Sequence, residues 1–303
     1  MGGSDRTRED KAGMSQMIVD SQVHIWAADR PDRPWPAGNA HRAHRPVPLS
    51  YEPLLAEMDE AGVDKAILVP PSYEGDWNDL VLEAAREYPH RFAIMGRLPI
   101  QDSACARMLH AWRSQPGMLG LRLTFHVPDM HKLLENGAVD WFWPAAERLG
   151  VPIYILPTGA LHHIRRIAAR HPGLSITIDH CALHRFPGQP FHVDPGEIDQ
   201  LVALSAFPNV AVKVSALPLF SNEPYPFRDI QALVRRVFDG FGPRRTFWGS
   251  DLTRLPCSYR QAVTMFTEAL PWLKGEDKEL VMGRALCAWL GWDGQPAVGP
   301  AAK

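Results

Sequence analysis

Short runs of aliphatic and β-branched residues alternate along the chain with longer stretches in which apolar residues recur every three or four positions. The short runs predict eight strands, at 17–25, 65–69, 91–98, 118–125, 151–156, 174–179, 209–215 and 244–249. The longer stretches predict nine helices, at 51–61, 77–88, 104–114, 139–149, 161–170, 197–206, 230–238, 258–270 and 278–290. Eight successive strand–helix units favour a parallel sheet closed into a (β/α)8 TIM barrel, which usually takes about 250 residues.

The competing architecture is an open, doubly wound parallel sheet. Such sheets usually carry a glycine-rich phosphate loop after the first strand, and the DSQVH sequence at 20–24 has no glycine. The sequence therefore favours one barrel domain over 17–303, with a closing helix near the C-terminus. The polar segment 1–16 predicts a disordered tail because it has few residues to bury.

A long insertion at 27–49 predicts a loop over the mouth of the barrel, because the first predicted helix begins only after it. Its HRAHRP run at 41–46 is interpreted as a solvated basic loop, with a substrate-binding lid as the alternative.

Composition narrows the function classes. The 303 residues are 46% hydrophobic, and their formal net charge is -2, so no global positive field favours nucleic acid or an anionic membrane. No membrane span or secretory signal is evident, which predicts a cytoplasmic protein. Cys105, Cys181, Cys257 and Cys287 are far apart, which predicts reduced thiols rather than disulfides or a thiolate zinc site.

Strand alternation predicts which side chains point into the barrel. The residues predicted to face inward are Ile18, Asp20, Gln22 and His24 on the first strand, Arg122 on the fourth, Tyr154 and Leu156 on the fifth and Lys213 on the seventh. The residues predicted to face outward are Val19, Val23, Ile25, Leu119, Leu121, Leu123, Val151, Ile153, Ile155, Val210, Val212 and Val214. His180 and Asp251 directly follow the sixth and eighth strands, where barrel enzymes place their active sites.

Isolated charges are costly to bury, so Arg122, Lys213 and Asp251 require partners or a charged ligand. One interpretation pairs Arg122 and Lys213 with Asp20 or Asp251 in a structural network. The convergence of histidines, carboxylates and cations at several strand ends instead favours a functional site. The histidines in predicted helices and loops, His163, His171, His184 and His192, are interpreted as surface residues.

Seven segments resemble the amidohydrolase superfamily, in the amidohydrolase-related branch that includes 2-pyrone-4,6-dicarboxylate lactonase and the sugar lactonases. They are DSQVHIW at 20–26, VPPSY at 69–73, GLRL at 120–123, IDHC at 178–181, VKVS at 212–215, WGSD at 248–251 and MGRALCAWLGW at 282–292. Their order and spacing agree with that branch from about residue 17 to 292.

The chain departs from the branch at two positions that hold metal in its metal-dependent members. Gln22 replaces the first metal histidine, and Leu156 stands where a histidine or carbamylated lysine often follows the fifth strand. We therefore favour a site with no metal or other cofactor. The alternative is a single divalent metal, such as zinc or manganese, held by His24, His180 and Asp251.

The favoured hypothesis is a hydrolase that opens a lactone or similar cyclic ester in small-molecule catabolism. Asp251 is the predicted general base for water, while His180, with Gln22 or His24, holds the carbonyl oxygen. Arg122, supported by Lys213 or Arg97, is predicted to bind a substrate carboxylate.

Further contacts to substrate are implied partly by the resemblance. Tyr154 and Ser72 are implied as hydroxyl contacts. Trp26 and Trp77 are predicted either to wall an apolar ring or to pack under the mouth loops.

Two alternatives remain open at the level of sequence. One is a metal-dependent decarboxylase or hydratase of aromatic acids, with Asp251 and His24 as ligands and His180 as acid or base. The other is a non-catalytic ligand-binding barrel. The expected partner is a small anionic substrate, without nucleic acid or membrane; the sequence does not decide whether the chains form a homo-oligomer.

Overall fold

A computed structural model of the chain describes residues 16–185 and 191–292. The eight strands, β1 to β8, are Val19–Val23, Lys65–Leu68, Phe92–Gly96, Met118–Thr124, Ile153–Leu156, Ile176–Ile178, Val210–Ser215 and Thr246–Gly249. The α-helices of the described residues, α1 to α12, are Tyr51–Ala61, Asp79–Glu87, Ala106–His110, Pro128–Glu135, Phe142–Arg148, Leu161–Arg170, Pro195–Ala203, Leu217–Phe220, Arg228–Phe241, Tyr259–Thr267, Gly275–Glu279 and Ala285–Leu290.

The strands form one parallel sheet in the order β1 to β8, with every consecutive pair hydrogen-bonded. All eight predicted strands are present, and the predicted (β/α)8 TIM barrel is confirmed. Because the strands are parallel, their carboxyl ends meet at one face of the barrel, where the loops can assemble a site.

Asp20 joins the first and last strands. Its carboxylate accepts hydrogen bonds from the backbone N–H and the hydroxyl of Ser250, and from the Tyr259 hydroxyl at 2.7 Å. The Asp251 N–H donates to the Gln22 carbonyl at 3.0 Å beside this contact. A Cβ at Gly249 would collide with the Ser21 side chain, so the close approach of β1 and β8 requires glycine there.

The nine predicted helices correspond to helical segments, several of them shorter than predicted or continued by 3₁₀ turns. The predicted closing helix is interrupted, because residues Leu280–Arg284 form a π-helical segment before α12. Sequence periodicity missed two short helices, α4 and α8. In α4 Leu134 is the one buried residue, α8 has four residues and is too short to show a period, and each helix has a proline in its first turn.

An inner cluster fills the lower part of the barrel, with Val19, Ile67, Met95, Leu119, Tyr154 and Phe247 among its members. Residues from the closing segment, including Leu286 and Leu290, belong to the same cluster. The expected outward orientation of Val19 and Leu119 is therefore wrong. Strand pairing shifts register between Asp20 and Val23 and again at Met118–Gly120, which breaks the simple alternation.

Three further expectations concern the N-terminal segment, the cysteines and membrane spans. The predicted tail at 1–16 lies outside the described residues except for Gln16, whose side chain donates to the Lys278 carbonyl at 3.2 Å. All four cysteines are free thiols, as predicted. None of the helices within 16–185 and 191–292 is long and apolar enough to span a membrane.

Candidate active site

A cavity of about 710 Å³ opens at the carboxyl ends of the strands. Its lining includes His24, Ser72, Arg122, Leu156, His180 and Asp251, which lie on or just after six different strands. Residues from loops complete the wall, namely His41, Arg42, His44, His126, His184, Arg185 and Arg254. The structure thus brings five of the ten predicted catalytic and substrate-binding residues to the cavity: His24, Ser72, Arg122, His180 and Asp251.

The backbone at two of these residues is left-handed. His180 has φ 52° and Asp251 has φ 54°, and neither is glycine. Such conformations typically cost about 1–3 kcal/mol and persist where the surrounding structure holds them, often at functional sites. The turns aim both side chains back into the cavity instead of along the barrel wall.

Asp251 lies on the cavity floor between two histidines. His24 Nε2 is 3.2 Å from Asp251 Oδ1, and His180 Nε2 is 3.8 Å from Oδ2. Burial acts to raise the pKa of Asp251, but the neighbouring imidazoles outweigh it and hold that pKa well below its usual range. His24 is the nearest hydrogen-bonding group to this carboxylate, and Asp251 lines the cavity, so an ionised base faces the cavity.

The two histidines are oriented through their Nδ1 atoms. His24 Nδ1 is 2.6 Å from the Val69 carbonyl, which can only accept, so Nδ1 carries a proton. His180 Nδ1 is 2.8 Å from the Ser215 hydroxyl, which has no other hydrogen-bond partner in the described part of the chain. The Ser215 hydroxyl can donate to Nδ1 or accept from it; because it meets no other partner in the described residues, we assign it as the donor, which places the proton of neutral His180 on Nε2. Burial lowers the pKa of His180 to about 3, so it is neutral at physiological pH.

Gln22 lies between the histidines. Its Nε2 is 3.4 Å from His24 Nε2 and 3.3 Å from His180 Nε2, and its Oε1 accepts from the Lys213 ammonium. Lys213 can only donate, so this contact fixes which end of the amide is oxygen. The N–H bonds of Gln22 therefore face the histidines.

Asp179 is the buried counterion that the sequence analysis did not single out. It accepts from Arg122 Nε at 3.1 Å and lies 2.7 Å from Lys213 Nζ. The alternative interpretation, which pairs Arg122 and Lys213 with Asp20 or Asp251, is wrong in its partner, because both cations contact Asp179. Burial acts to raise the pKa of Asp179, but the two cations outweigh it and lower that pKa. Burial also lowers the pKa of Lys213, to about 8.

The predicted cationic contacts occupy different depths. Arg122 lines the cavity and donates to Thr124 at 2.9 Å. Arg97 stands behind it, donating to Thr124 at 3.4 Å, outside the cavity lining. Lys213 is fully buried beneath the cavity, with its ammonium 3.8 Å above the Tyr154 ring. Neither Arg97 nor Lys213 lines the cavity, so the structure does not place these two residues where they could make the predicted direct contact with a substrate.

The mouth loop is fixed to the barrel by buried charges. Arg33, only 4% exposed, donates to Glu74 at 2.5 Å and to Asp79 at 2.6 and 2.7 Å. The loop carries His44 into the cavity wall, where Nδ1 lies 2.8 Å from Thr253 and the ring contacts that of His24 edge-on. The interpretation of residues 41–46 as a purely solvated run is therefore wrong.

The two predicted tryptophans pack under the mouth loop and do not line the cavity. Trp26 is buried, with its ring edge-on to His44 and Tyr73. Trp77 lies under Arg33 and donates to the Pro34 carbonyl. Ser72 does line the cavity, so its hydroxyl remains a candidate for the predicted contact with substrate.

Several histidines and arginines were missed because they follow no periodic pattern. His126 and His184 pack together at 4.6 Å on the cavity wall, and burial lowers their pKa values to about 3 and about 4. The expectation that His184 lies on the surface is wrong, as is that for His163, which is 5% exposed. Three arginines on the wall make no ion pair with a carboxylate among the described residues: Arg42, Arg185 and Arg254.

Comparison with known proteins gives a family. A family model described as amidohydrolase matches residues 19–289. An L-fucono-1,5-lactonase from Burkholderia ambifaria is 26% identical over 77% of this chain and 79% of its own length. A 4-sulfomuconolactone hydrolase from Hydrogenophaga intermedia is 24% identical over 77% of this chain and 73% of its own.

Solved structures share the fold. The structure of an amidohydrolase from Burkholderia multivorans with bound zinc superposes with a TM-score of 0.74 at 19% identity, covering 91% of this chain and 99% of that one. In the described ranges of the present chain, no group of three or more histidine, cysteine, aspartate or glutamate side chains is arranged to hold a metal ion.

Proposed function

The chain belongs to the amidohydrolase family and is a hydrolase, and we propose that it opens a lactone of a small anionic compound with water activated by Asp251. The observation that carries this proposal is the buried Asp251 on the cavity floor, whose carboxylate has a lowered pKa and faces the cavity beside His24 and His180. Support for the reaction class comes from two relatives whose names describe lactone hydrolysis.

Asp251 acts as the general base in this proposal. A water molecule between Asp251 and the lactone carbonyl transfers its proton to the carboxylate while its oxygen bonds to the carbonyl carbon. The ring C–O bond then breaks, and the departing alkoxide takes a proton back from Asp251. Positioned acid–base catalysis of this kind typically contributes about 10²–10⁴-fold in rate.

Charge develops on the carbonyl oxygen during the attack, and the Nε2–H of His180, which lines the cavity beside Asp251, is placed to stabilise it. The Gln22 amide nitrogen lies 3.3 Å from this atom, fully buried and outside the cavity lining, so it acts on the imidazoles and not on the substrate directly. Preorganised donors in a buried site are usually worth about 10²–10³-fold each in rate.

An anionic substrate fits the charge of the cavity. Arg42, Arg122, Arg185 and Arg254 line it, whereas Asp251 is the one carboxylate among the described lining residues. The nearby histidines His126 and His184 are neutral because burial lowers their pKa values, so they donate or accept hydrogen bonds without adding charge. Arginine suits a planar carboxylate because its guanidinium can donate two parallel hydrogen bonds.

The side chains at the centre fit a metal ion poorly, and the proposed reaction uses none. A divalent cation needs lone pairs directed at one point. His24 and Asp251 offer them, but the Gln22 amide turns N–H bonds toward the same point, and Ser215 favours a proton on His180 Nε2.

The substrate charge is tested by replacing Arg122 with lysine, which retains a cation beside Asp179 but loses the planar fork. For a six-membered lactone bearing a carboxylate, we expect Arg122→Lys to raise KM about tenfold or more, because a hydrogen bond to a charged group contributes about 1.5–3 kcal/mol. For the same ring without the carboxylate, kcat and KM should stay near those of the parent. Steady-state kinetics on this pair of lactones gives the answer.

Equal KM changes for the charged and neutral lactones would remove the carboxylate contact from the proposal. The exposed Arg235→Lys on α9, whose ion pair with Asp239 lies far from the strand ends, serves as the matched control.

A further inference from the structure

The contact between Lys213 and Gln22 is the feature that the proposed mechanism leaves unexplained. Lys213 is a fully buried cation, yet it does not line the cavity and cannot touch a substrate there. Its ammonium reaches three groups: the Asp179 carboxylate at 2.7 Å, the Tyr154 ring at 3.8 Å, and the Gln22 side-chain oxygen. Burying a cation is expensive, so three compensating contacts around one ammonium indicate a position that the fold holds firmly.

The orientation of the Gln22 amide decides what the centre of the site can bind. With its oxygen toward Lys213, the amide presents N–H bonds to His24 and His180. Turned over, the same amide would present an oxygen lone pair to the space between the two histidines. Carboxylate, imidazole and amide oxygen atoms around that space would then favour a cation.

We propose that Lys213 is a positioning residue that locks the Gln22 amide with its nitrogen toward the histidines, and thereby makes the centre of the site a hydrogen-bond donor that refuses a divalent metal. Asp179 holds the ammonium in place from one side, and the Tyr154 ring supports it from another. The catalytic part of this inference rests on the proposed function, whereas the metal-refusing part stands on the donor arrangement alone.

Three substitutions at Gln22 and Lys213 separate these ideas when zinc binding is measured by equilibrium dialysis and atomic emission. Gln22→Glu keeps the shape of the side chain and still accepts from Lys213, but it replaces the N–H bonds with a second oxygen. We expect about one bound zinc per chain for this variant and fewer than about 0.1 for the parent. Gln22→Met removes the donor without adding a ligand, so it should bind no more zinc than the parent. Lys213→Met releases the amide and should gain zinc relative to the parent.

Lactone hydrolysis by the same proteins, assayed without added metal, tests the positioning role. Lys213→Met and Gln22→Met should lower kcat by a similar factor, about 10²–10³, with KM changed less than threefold, because both remove the N–H bonds held toward His24 and His180 and neither replaces a residue of the cavity lining. Should Lys213→Met fail to fold, the comparison of Gln22→Glu with Gln22→Met still tests whether the donor nitrogen at position 22 keeps zinc out, since both variants leave Lys213 and Asp179 paired.

The inference is overturned if the parent protein binds one zinc per chain, if Gln22→Glu binds no more zinc than Gln22→Met, or if a folded Lys213→Met binds no more zinc than the parent. The lactone assay distinguishes this failure from that of the proposed function. Lactone turnover by the parent without the expected zinc pattern would retain the function and remove the orientation. The expected zinc pattern without turnover of any lactone would retain the orientation and remove the function.

Discussion

Replacing Asp251 with asparagine should lower kcat for lactone hydrolysis by about 10²–10⁴-fold, because the amide retains the size of the side chain but cannot accept a proton from water. The fold should survive, since asparagine keeps the size of the side chain and the backbone hydrogen bond from residue 251 to the Gln22 carbonyl. The measurement is the steady-state rate on a carboxylated lactone, with the thermal midpoint recorded for the same samples. Asp239→Asn, which removes an exposed carboxylate on α9, is the matched control.

The pH dependence provides a second readout of the same base. The pKa of Asp251 lies below its usual range, so the carboxylate is ionised well into acid solution. Activity that needs this ionised form is present above the lowered pKa and is lost as pH falls through it. We therefore expect kcat/KM to be constant from about pH 5 to 7 and to decline only in more acidic solution.

A rate for Asp251→Asn within threefold of the parent would exclude Asp251 as the base.

Replacing Asp179 with asparagine should lower the free energy of unfolding by about 3–5 kcal/mol, since Arg122 and Lys213 would remain buried beside it without their shared counterion. Chemical denaturation of the parent and the variant measures this difference. Asp239→Asn again provides the comparison, because an exposed pair such as Asp239–Arg235 typically contributes about 0–1 kcal/mol. A loss below about 1 kcal/mol for Asp179→Asn would show that the two cations are neutralised in another way.

The barrel could be predicted because short runs of aliphatic and β-branched residues mark its strands. The strand-end residues could be predicted because active sites of this architecture lie at one face of the barrel. Gln22, His24, Arg122 and Asp251 all sit at strand ends that the hydrophobic pattern located correctly. The inward face of Val19 could not be predicted, because the register shift after Asp20 leaves no mark on the pattern of hydrophobic residues.

Asp179 was missed for a related reason. Strand alternation places neighbours on opposite faces, so His180 and Asp179 were not both expected in the interior. The left-handed backbone at His180 ends the strand geometry, which allows the carboxylate to meet Lys213 while the imidazole faces the cavity. The sequence signal that could have identified Asp179 was its position beside His180, directly after β6.

His44 illustrates the limit set by loops. It lies twenty residues beyond His24 in a segment without hydrophobic periodicity, and its place at the cavity follows from the contacts that fix the mouth loop. Those contacts depend on Arg33 meeting Glu74 and Asp79, which are more than forty residues away in sequence. Contacts between residues so far apart in sequence depend on the tertiary structure and cannot be predicted from local sequence patterns.

The central claim, that Asp251 activates water for lactone opening without a metal, is tested most directly by one comparison. The protein is treated with a chelator, its metal content is measured by atomic emission, and its kcat/KM on a carboxylated lactone is compared with that of the untreated protein. We expect the treated and untreated proteins to have the same kcat/KM, with fewer than about 0.1 metal ions per chain, since the hydrogen-bond donors and the base are side chains. Loss of activity on chelation, with recovery only after a divalent metal is added back, would contradict it.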